Sequence, residues 1–97
     1  MQKTTKAPLF SLGQVVATPG ALAALEKAGH TPQEFLSRHV HGDWGDLGDE
    51  DRKENELSLQ RGFRLLSSYR TNAGDTRVWV ITEADRSATT ILLPDEY

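Results

Sequence analysis

The sequence contains no cysteine, and this absence removes disulfides, thiolate catalysis and cysteine-ligated zinc or iron–sulfur sites. It has no apolar run near the ~18–20 residues that span a bilayer as a helix. It also lacks an excess of positive charge, since 11 Lys and Arg stand against 14 Asp and Glu, a formal net charge of −3. General nucleic-acid binders are usually basic. These absences argue against a membrane protein and disfavour a general nucleic-acid binder.

The hydrophobic residues make up 37% of the 97 residues, which suits one modest core and is too much for a disordered chain. We therefore expect a single domain over 1–97, with a polar and disordered segment over 1–7. The first residues include lysines but no apolar stretch with a cleavage site behind it, so no secretory signal is predicted. Together with the missing cysteine, this pattern predicts a cytoplasmic protein.

Capping and termination signals predict three short helices. Pro19 suits the first position of a helix that Gly29 ends. Thr31 and Glu34 form a capping box at the start of the second helix. The third helix has acids in its first turn, where the helix dipole favours them, and Leu57 is its clearest buried candidate. The body of the first predicted helix covers 21–28, and the other two helices cover 32–39 and 49–60.

Strand signals lie before and after the helices. The residues over 71–75 are typical of a hairpin turn, and Pro94 ends the last apolar stretch. In the strand between them, Trp79 alternates with Val78 and Val80 and is expected on the opposite face of the sheet. The predicted strands cover 9–18, 63–70, 76–82 and 87–93. The fold class is therefore α+β: one N-terminal strand, three helices and a C-terminal three-stranded antiparallel meander packed on the helices.

The three histidines fall within twelve residues, and His39, His41 and Asp43 spell H-x-H-x-D. Metallohydrolases use such a run, but they add further ligands from a much larger scaffold. The simpler interpretation places His39 at a helix C-terminus, where positive charge is favourable, and leaves His30 and His41 in solvent. We predict no metal, no cofactor and no catalytic residue, with a zinc site at these residues as the minor alternative.

Residues 43–54 imitate a calcium-binding loop. Gly48 and Glu54 stand where an EF-hand loop needs its glycine and its final glutamate. Gly45 and Leu47 occupy two ligand positions and offer no side-chain oxygen. The loop therefore lacks two of its usual ligands, and calcium is not the favoured interpretation.

The segment 43–56 holds seven acids and two bases, a local charge of −5. We predict that it binds a protein partner. The simpler alternative is that these charges form a solvated helix face. Trp44 lies in a glycine-rich loop of this segment. It either fills the core, because such a loop needs an apolar tether, or is an exposed anchor for the partner. The predicted partner-binding residues are Trp44, Asp43, Asp46, Asp49, Glu50 and Asp51.

Basic residues cluster later in the chain and support an alternative function. Arg61, Arg64, Arg70 and Arg77 lie at the end of the third helix and on the first two strands of the meander. On one face of the sheet they would form a positive stripe for a phosphate backbone. The alternative is therefore a small nucleic-acid-associated regulator, although the second helix lacks the basic residues of a recognition helix.

Three phrases of the sequence resemble a known family: LGQVVATPGAL (12–22), HGDWGDL (41–47) and RVWVITEADRSATTILLPDEY (77–97). They are similar to small bacterial proteins of plasmids and other mobile genetic elements, some labelled by gene neighbourhood as type I restriction-system proteins. The family has no assigned activity, so the resemblance implies no catalytic or binding residue. It implies a role in mobile-element biology. The sequence as a whole therefore predicts a non-enzymatic protein-interaction module.

Overall fold

The computed structural model describes residues 7–71 and 76–97. The predicted disorder over 1–7 and the predicted turn over 71–75 lie, apart from Ala7 and Thr71, outside them. No helix in the described part is both long enough and apolar enough to cross a bilayer. In chain order the elements are β1 (Gln14–Ala17), α1 (Pro19–Ala28), α2 (Pro32–Val40), α3 (Asp49–Arg61), β2 (Leu65–Arg70), β3 (Arg77–Thr82), β4 (Ala88–Leu92) and a 3₁₀ turn (Pro94–Glu96).

The strands form one four-stranded mixed sheet in the order β1-β4-β3-β2. The predicted α+β class and three helices are confirmed, and β2, β3 and β4 do form an antiparallel meander. The expectation of a three-stranded antiparallel sheet is wrong, because β1 joins it and runs parallel to β4, with Gln14 opposite Ala88. Local patterns cannot show this pairing, since the two strands lie at opposite ends of the chain and a crossover connection joins them.

The helix ends follow the sequence signals. The Thr18 hydroxyl accepts a hydrogen bond from the Ala21 N–H (3.1 Å) at the start of α1. At α2, the Glu34 carboxylate accepts one from the Thr31 N–H (3.1 Å). Gly29 closes α1 in the left-handed conformation, with φ +78°. Thr18 also donates to Glu96 Oε1 (2.6 Å), so the 3₁₀ turn is fastened to the start of α1.

The core lies between α1, α2 and one face of the sheet. The apolar side chains of these helices and of this sheet face drive the packing, since burial of each large one contributes roughly 1.5–3 kcal/mol. Trp79 points to the other face, as predicted, where its ring contacts the Tyr97 ring edge-on at 5.7 Å. The core side chains are Ala21, Leu25, Phe35, Leu36, Tyr69, Val78, Val80 and Ile91.

Helix α3 differs from its prediction in the residues that it buries. Leu57 is 38% exposed, whereas Asn55 is 4% exposed. The prediction of a buried Leu57 is wrong because α3 packs against the open edge of β2, where backbone groups need partners. The Asn55 side chain supplies them: Nδ2 donates to the Leu66 carbonyl (2.6 Å) and Oδ1 accepts from the Leu66 N–H (3.2 Å).

Candidate interaction surface

The glycine-rich loop after α2 is anchored by its tryptophan. Trp44 is 2% exposed, and its indole N–H donates to Glu56 Oε2 on α3 (3.1 Å). The Trp44 ring stacks on Phe10 at 6.3 Å and meets the edge of His39 at 5.7 Å. Trp44 therefore fills the core, and a partner that docks on the loop meets its neighbours rather than the indole.

The same loop is hydrogen-bonded to the edge of the sheet. The Ser68 N–H of β2 donates to the Trp44 carbonyl (3.1 Å), and the Asp46 N–H donates to the Ser68 carbonyl (2.6 Å). Gly45 lies between these bonds with φ +77°, and a Cβ atom there would collide with the Ser68 carbonyl oxygen. Glycine is required here because it tolerates both the positive φ and the close backbone approach. The loop thus has one backbone position relative to the sheet.

Arg52 holds the loop from the opposite side. This residue lies in the first turns of α3, and its guanidinium donates to the carbonyls of Leu47 and Gly45, at 3.1 Å each. The exposed acids Asp49, Glu50 and Asp51 follow the loop directly as the first turn of α3. Helix geometry therefore presents these three carboxylates at the positive end of the helix dipole, in a fixed relation to the loop.

Two loop acids are paired with arginines from other elements. Asp43 accepts from Arg38 Nε (2.7 Å), and Asp46 lies 2.8 Å from Arg77 and 3.5 Å from Arg70. The hydrogen bond from Arg38 lowers the pKa of Asp43, and burial opposes this effect only in part. All five side chains are partly exposed to solvent. Acidic and basic residues therefore alternate on one surface.

A shallow, solvent-open depression of about 480 Å³ lies in the middle of this surface, between Arg38, Gly45, Asp46, Tyr69 and Arg70. The Tyr69 ring forms its floor, with the Arg38 guanidinium 4.5 Å above the ring centroid. The Tyr69 hydroxyl donates to the Asp43 carbonyl (2.6 Å), so the floor is also bonded to the loop. Burial raises the pKa of Tyr69, so this hydroxyl stays a donor at physiological pH. We call these residues, with Asp43, Arg77 and the first turn of α3, the loop surface.

The predicted arginine stripe is divided between two places. Arg70 and Arg77 are register partners on β2 and β3, so the structure brings them together beside Asp46. Arg64 instead donates to the Tyr97 hydroxyl (2.6 Å), and Arg61 lies in the last turn of α3. The four arginines therefore do not form one continuous stripe.

Sequence reasoning missed two arginines of the loop surface, Arg38 and Arg52. Arg38 precedes Asp43 by five residues across a helix end, and this charge pairing is the only local signal for it. Arg52 is three residues into the acidic start of α3, where it reads as one base among many acids. Its backbone contacts depend on the loop folding back toward the helix, which no local pattern shows.

His39 belongs to a continuous chain of buried hydrogen bonds that runs from Ser67 to the Leu12 carbonyl. The Thr89 hydroxyl donates to the Leu12 carbonyl (2.7 Å), so its oxygen accepts from the Thr82 hydroxyl (2.7 Å). Thr82 then accepts from His39 Nε2 (2.9 Å), and His39 Nδ1 accepts from the Ser67 hydroxyl (2.5 Å). Since each hydroxyl has one proton to donate, this order places a proton on His39 Nε2, and burial, which lowers the pKa of His39, keeps Nδ1 an acceptor.

The histidine run does not converge on one point. His39 is fully buried, while His41 Nδ1 bonds to the Ser37 carbonyl (2.7 Å) and Asp43 turns to Arg38. Over residues 7–71 and 76–97, no group of three or more His, Asp or Glu side chains is placed to hold a metal ion. The calcium-like pattern over 43–54 does not form one loop, because Gly48 caps α3 and the residues from Asp49 onward are helical.

Comparisons of the chain with protein-family models, with curated proteins and with solved structures found no match.

Proposed function

We propose that this protein is a non-enzymatic interaction module that binds a basic protein partner through the loop surface. One observation carries the proposal: the loop is fixed by the sheet edge, by Trp44 and by Arg52, while its acidic neighbours stay exposed. A loop that is already ordered loses little conformational entropy when it binds. This ordering of the loop before any partner binds supports a role in recognition.

The charge of the surface favours a basic partner. Asp49, Glu50 and Asp51 are exposed, and each stands at the first turn of α3. Asp43 and Asp46 are already paired with arginines, so they orient those arginines and fix the rim of the depression. The three helix acids therefore supply the attraction, and the arginine–aspartate pairs supply the shape and register of the contact.

The absence of catalysis is part of the proposal. The best candidate for a general base, His39, is fully buried and has both ring nitrogens bonded to hydroxyl groups. A substrate cannot reach it without breaking that chain. We further propose, from the resemblance of its sequence phrases, that the protein acts in the cytoplasm of a bacterium that carries a mobile element.

The test is affinity capture from a host lysate with a tagged protein, followed by mass spectrometry. The variant Asp49→Asn/Glu50→Gln/Asp51→Asn removes the three charges with little change in shape. We expect a defined protein captured by the wild type to be lost or reduced at least about tenfold with this variant, which corresponds to a loss of about 1.4 kcal/mol or more of charge complementarity.

The matched control neutralises three exposed acids elsewhere, Glu26→Gln/Glu83→Gln/Asp95→Asn, and changes the net charge equally. It should retain the partner. Equal capture by the wild type and both variants would refute the proposed surface, and circular dichroism of each variant verifies that α3 remains folded.

A nucleic-acid-associated regulator remains the second candidate, and one observation favours it. Arg38 and Arg70 line the depression and Arg77 bonds to Asp46 at its rim, which gives a phosphate three guanidinium groups close together. Capture that disappears after nuclease treatment, and binding that weakens steeply with salt, would favour this function over a protein partner.

A further inference from the structure

The outer edge of β1 is an unprotected strand edge. β1 is the last strand of the sheet, and on its outer side no other strand of the described part of the chain lies. The N–H groups of Gln14 and Thr18 donate to the carbonyls of Ser87 and Ile91, just before and within β4, at 2.9 Å each. Because the backbone groups of alternate residues point to opposite sides of a strand, those of Val15 and Ala17 point outward. This edge therefore offers two N–H and two carbonyl groups to a further strand.

Proteins usually protect such an edge with charge, proline or a covering element. Here no residue from Ala7 to Leu25 carries a charge. The strand also exposes apolar groups on both sides, with Val15 42% and Val16 44% exposed. Four of the seven large hydrophobic side chains that are exposed in the described residues fall in this uncharged segment: Leu9, Val15, Val16 and Leu22.

We propose that β1 pairs with β1 of a second copy of this chain, in antiparallel orientation about a two-fold axis. Two copies of a chain with net charge −3 repel each other, and the contact that avoids this repulsion is the uncharged segment that contains β1. A strand that meets itself across a two-fold axis presents the same apolar pair on both sides, as an isologous interface requires. An acidic or basic partner strand would find no opposite charge here, so a second copy fits best.

The outward groups determine the register of this pairing. Val15 of each copy lies opposite Ala17 of the other. The two-fold axis thus gives two Val15–Ala17 pairs, and each pair exchanges two backbone hydrogen bonds. Val16 then faces the Val16 of the second copy in a pair without direct hydrogen bonds, with about 4.5 Å between the Cα atoms. A register shifted by two residues would use Gly13, whose φ of +65° takes it out of extended conformation. The Val16-centred register is therefore the favoured one.

The pairing would produce one continuous eight-stranded sheet. Because β2 is at the opposite edge from β1, the two β2 strands would form the outer edges, about 34 Å apart at 4.8 Å per strand, each with a loop surface beside it. The dimer would thus present two copies of the loop surface. The β1 pairing does not depend on the proposed function, since β1 contributes no residue to the loop surface.

Sedimentation velocity of the full chain tests the inference directly. We expect a dimer at high micromolar concentration, and a wild type that remains monomeric there would overturn the proposal. Val15→Pro removes an outward N–H and leaves the bonds to β4 in place, and Val16→Lys places two like charges opposite each other. Each should raise the dimer Kd at least about tenfold, whereas Leu57→Lys on α3 is the control that should not. A dimer unaffected by both β1 substitutions would place the interface elsewhere.

Cysteine cross-linking tests the register, because the chain has no cysteine of its own. Val16→Cys should form a disulfide-linked dimer under mild oxidation, since a Cα separation of about 4.5 Å suits a disulfide. Val15→Cys should not, because in this register the two Val15 Cα atoms are about 9 Å apart. Efficient linking through Val15→Cys but not through Val16→Cys would refute the register.

Discussion

Lowering the pH should destabilise this protein through one buried histidine. His39 is fully buried and accepts a hydrogen bond from Ser67 at Nδ1, so a second ring proton would have to displace that bond. Burial, and secondarily the positive charge of Arg86, lowers the pKa of His39 from 6.5 to about 4. An unfolded chain returns the histidine to its ordinary value. Between pH 6.5 and 4, the unfolded state therefore binds more protons than the folded state.

The sign and size of the effect follow from this difference. A group that the folded state holds neutral contributes its full stability above pH 6.5 and loses it as the pH falls toward 4. The free energy of unfolding should fall by about 1.3 kcal/mol from pH 7.5 to 5.5, and by about 2.5 kcal/mol at pH 4.5. Asp43 is a carboxyl group whose pKa is lowered in the folded chain. It begins to lose its stabilising effect only when the pH falls to its ordinary pKa of 3.8. The interval from pH 7.5 to 5.5 therefore separates the effect of His39 from that of the carboxyl groups.

Urea unfolding followed by tryptophan fluorescence measures this loss, because Trp44 is buried in the folded chain. With an m-value of about 1–1.5 kcal/mol/M, the midpoint should fall by about 1 M urea between pH 7.5 and 5.5. His39→Gln keeps a donor and an acceptor in the chain but cannot titrate, so its midpoint should change much less. The same substitution at His41 reports how much of the slope another histidine carries. A wild-type slope equal to that of His39→Gln would refute the reasoning.

Two further substitutions test how α3 and the loop are held. Asn55→Ala should lower the free energy of unfolding by about 2 kcal/mol, since it leaves the N–H and carbonyl of Leu66 without partners; Leu57→Ala, at a more exposed site on the same helix, should change it by under about 0.5 kcal/mol. Gly45→Ala should destabilise the chain by more than about 2 kcal/mol and weaken partner capture, because its Cβ meets backbone. Gly29→Ala, with φ +78° and open space around the added atom, should cost only about 1 kcal/mol. Urea midpoints check both pairs, and equal losses within a pair would contradict the assigned contacts.

The helices were predictable because their signals are local. A threonine cap, a proline at the first position and a terminal glycine act within one turn, so Pro19 and Gly29 mark α1, and Thr31 marks α2, without reference to the rest of the chain. The strand over 76–82 was predictable for the same reason, since its alternation of apolar residues shows both faces. The first strand was predicted too long, over 9–18, because Phe10 and Leu12 pack against buried side chains without pairing in the sheet.

The candidate site was predictable only in its residue types. The acids of 43–51 were identified from composition, and their exposure at the start of α3 follows from helix geometry. Their partners were not: Arg70 and Arg77 were assigned to a separate basic face, yet both lie beside Asp46. Charge density can be read along a chain, but the pairing of charges depends on which segments fold against each other.

The sequence by itself determined the α+β class, the three helices with their ends, the meander and the acidic character of the segment after α2. Each depends on propensity, capping or periodicity among near neighbours. Only the tertiary structure decided that β1 runs parallel to β4, that His39 closes a buried chain of hydroxyl groups, and that the loop is bonded to β2. These features join residues far apart in the chain, where the need to pair buried polar groups, rather than any local preference, selects the contact.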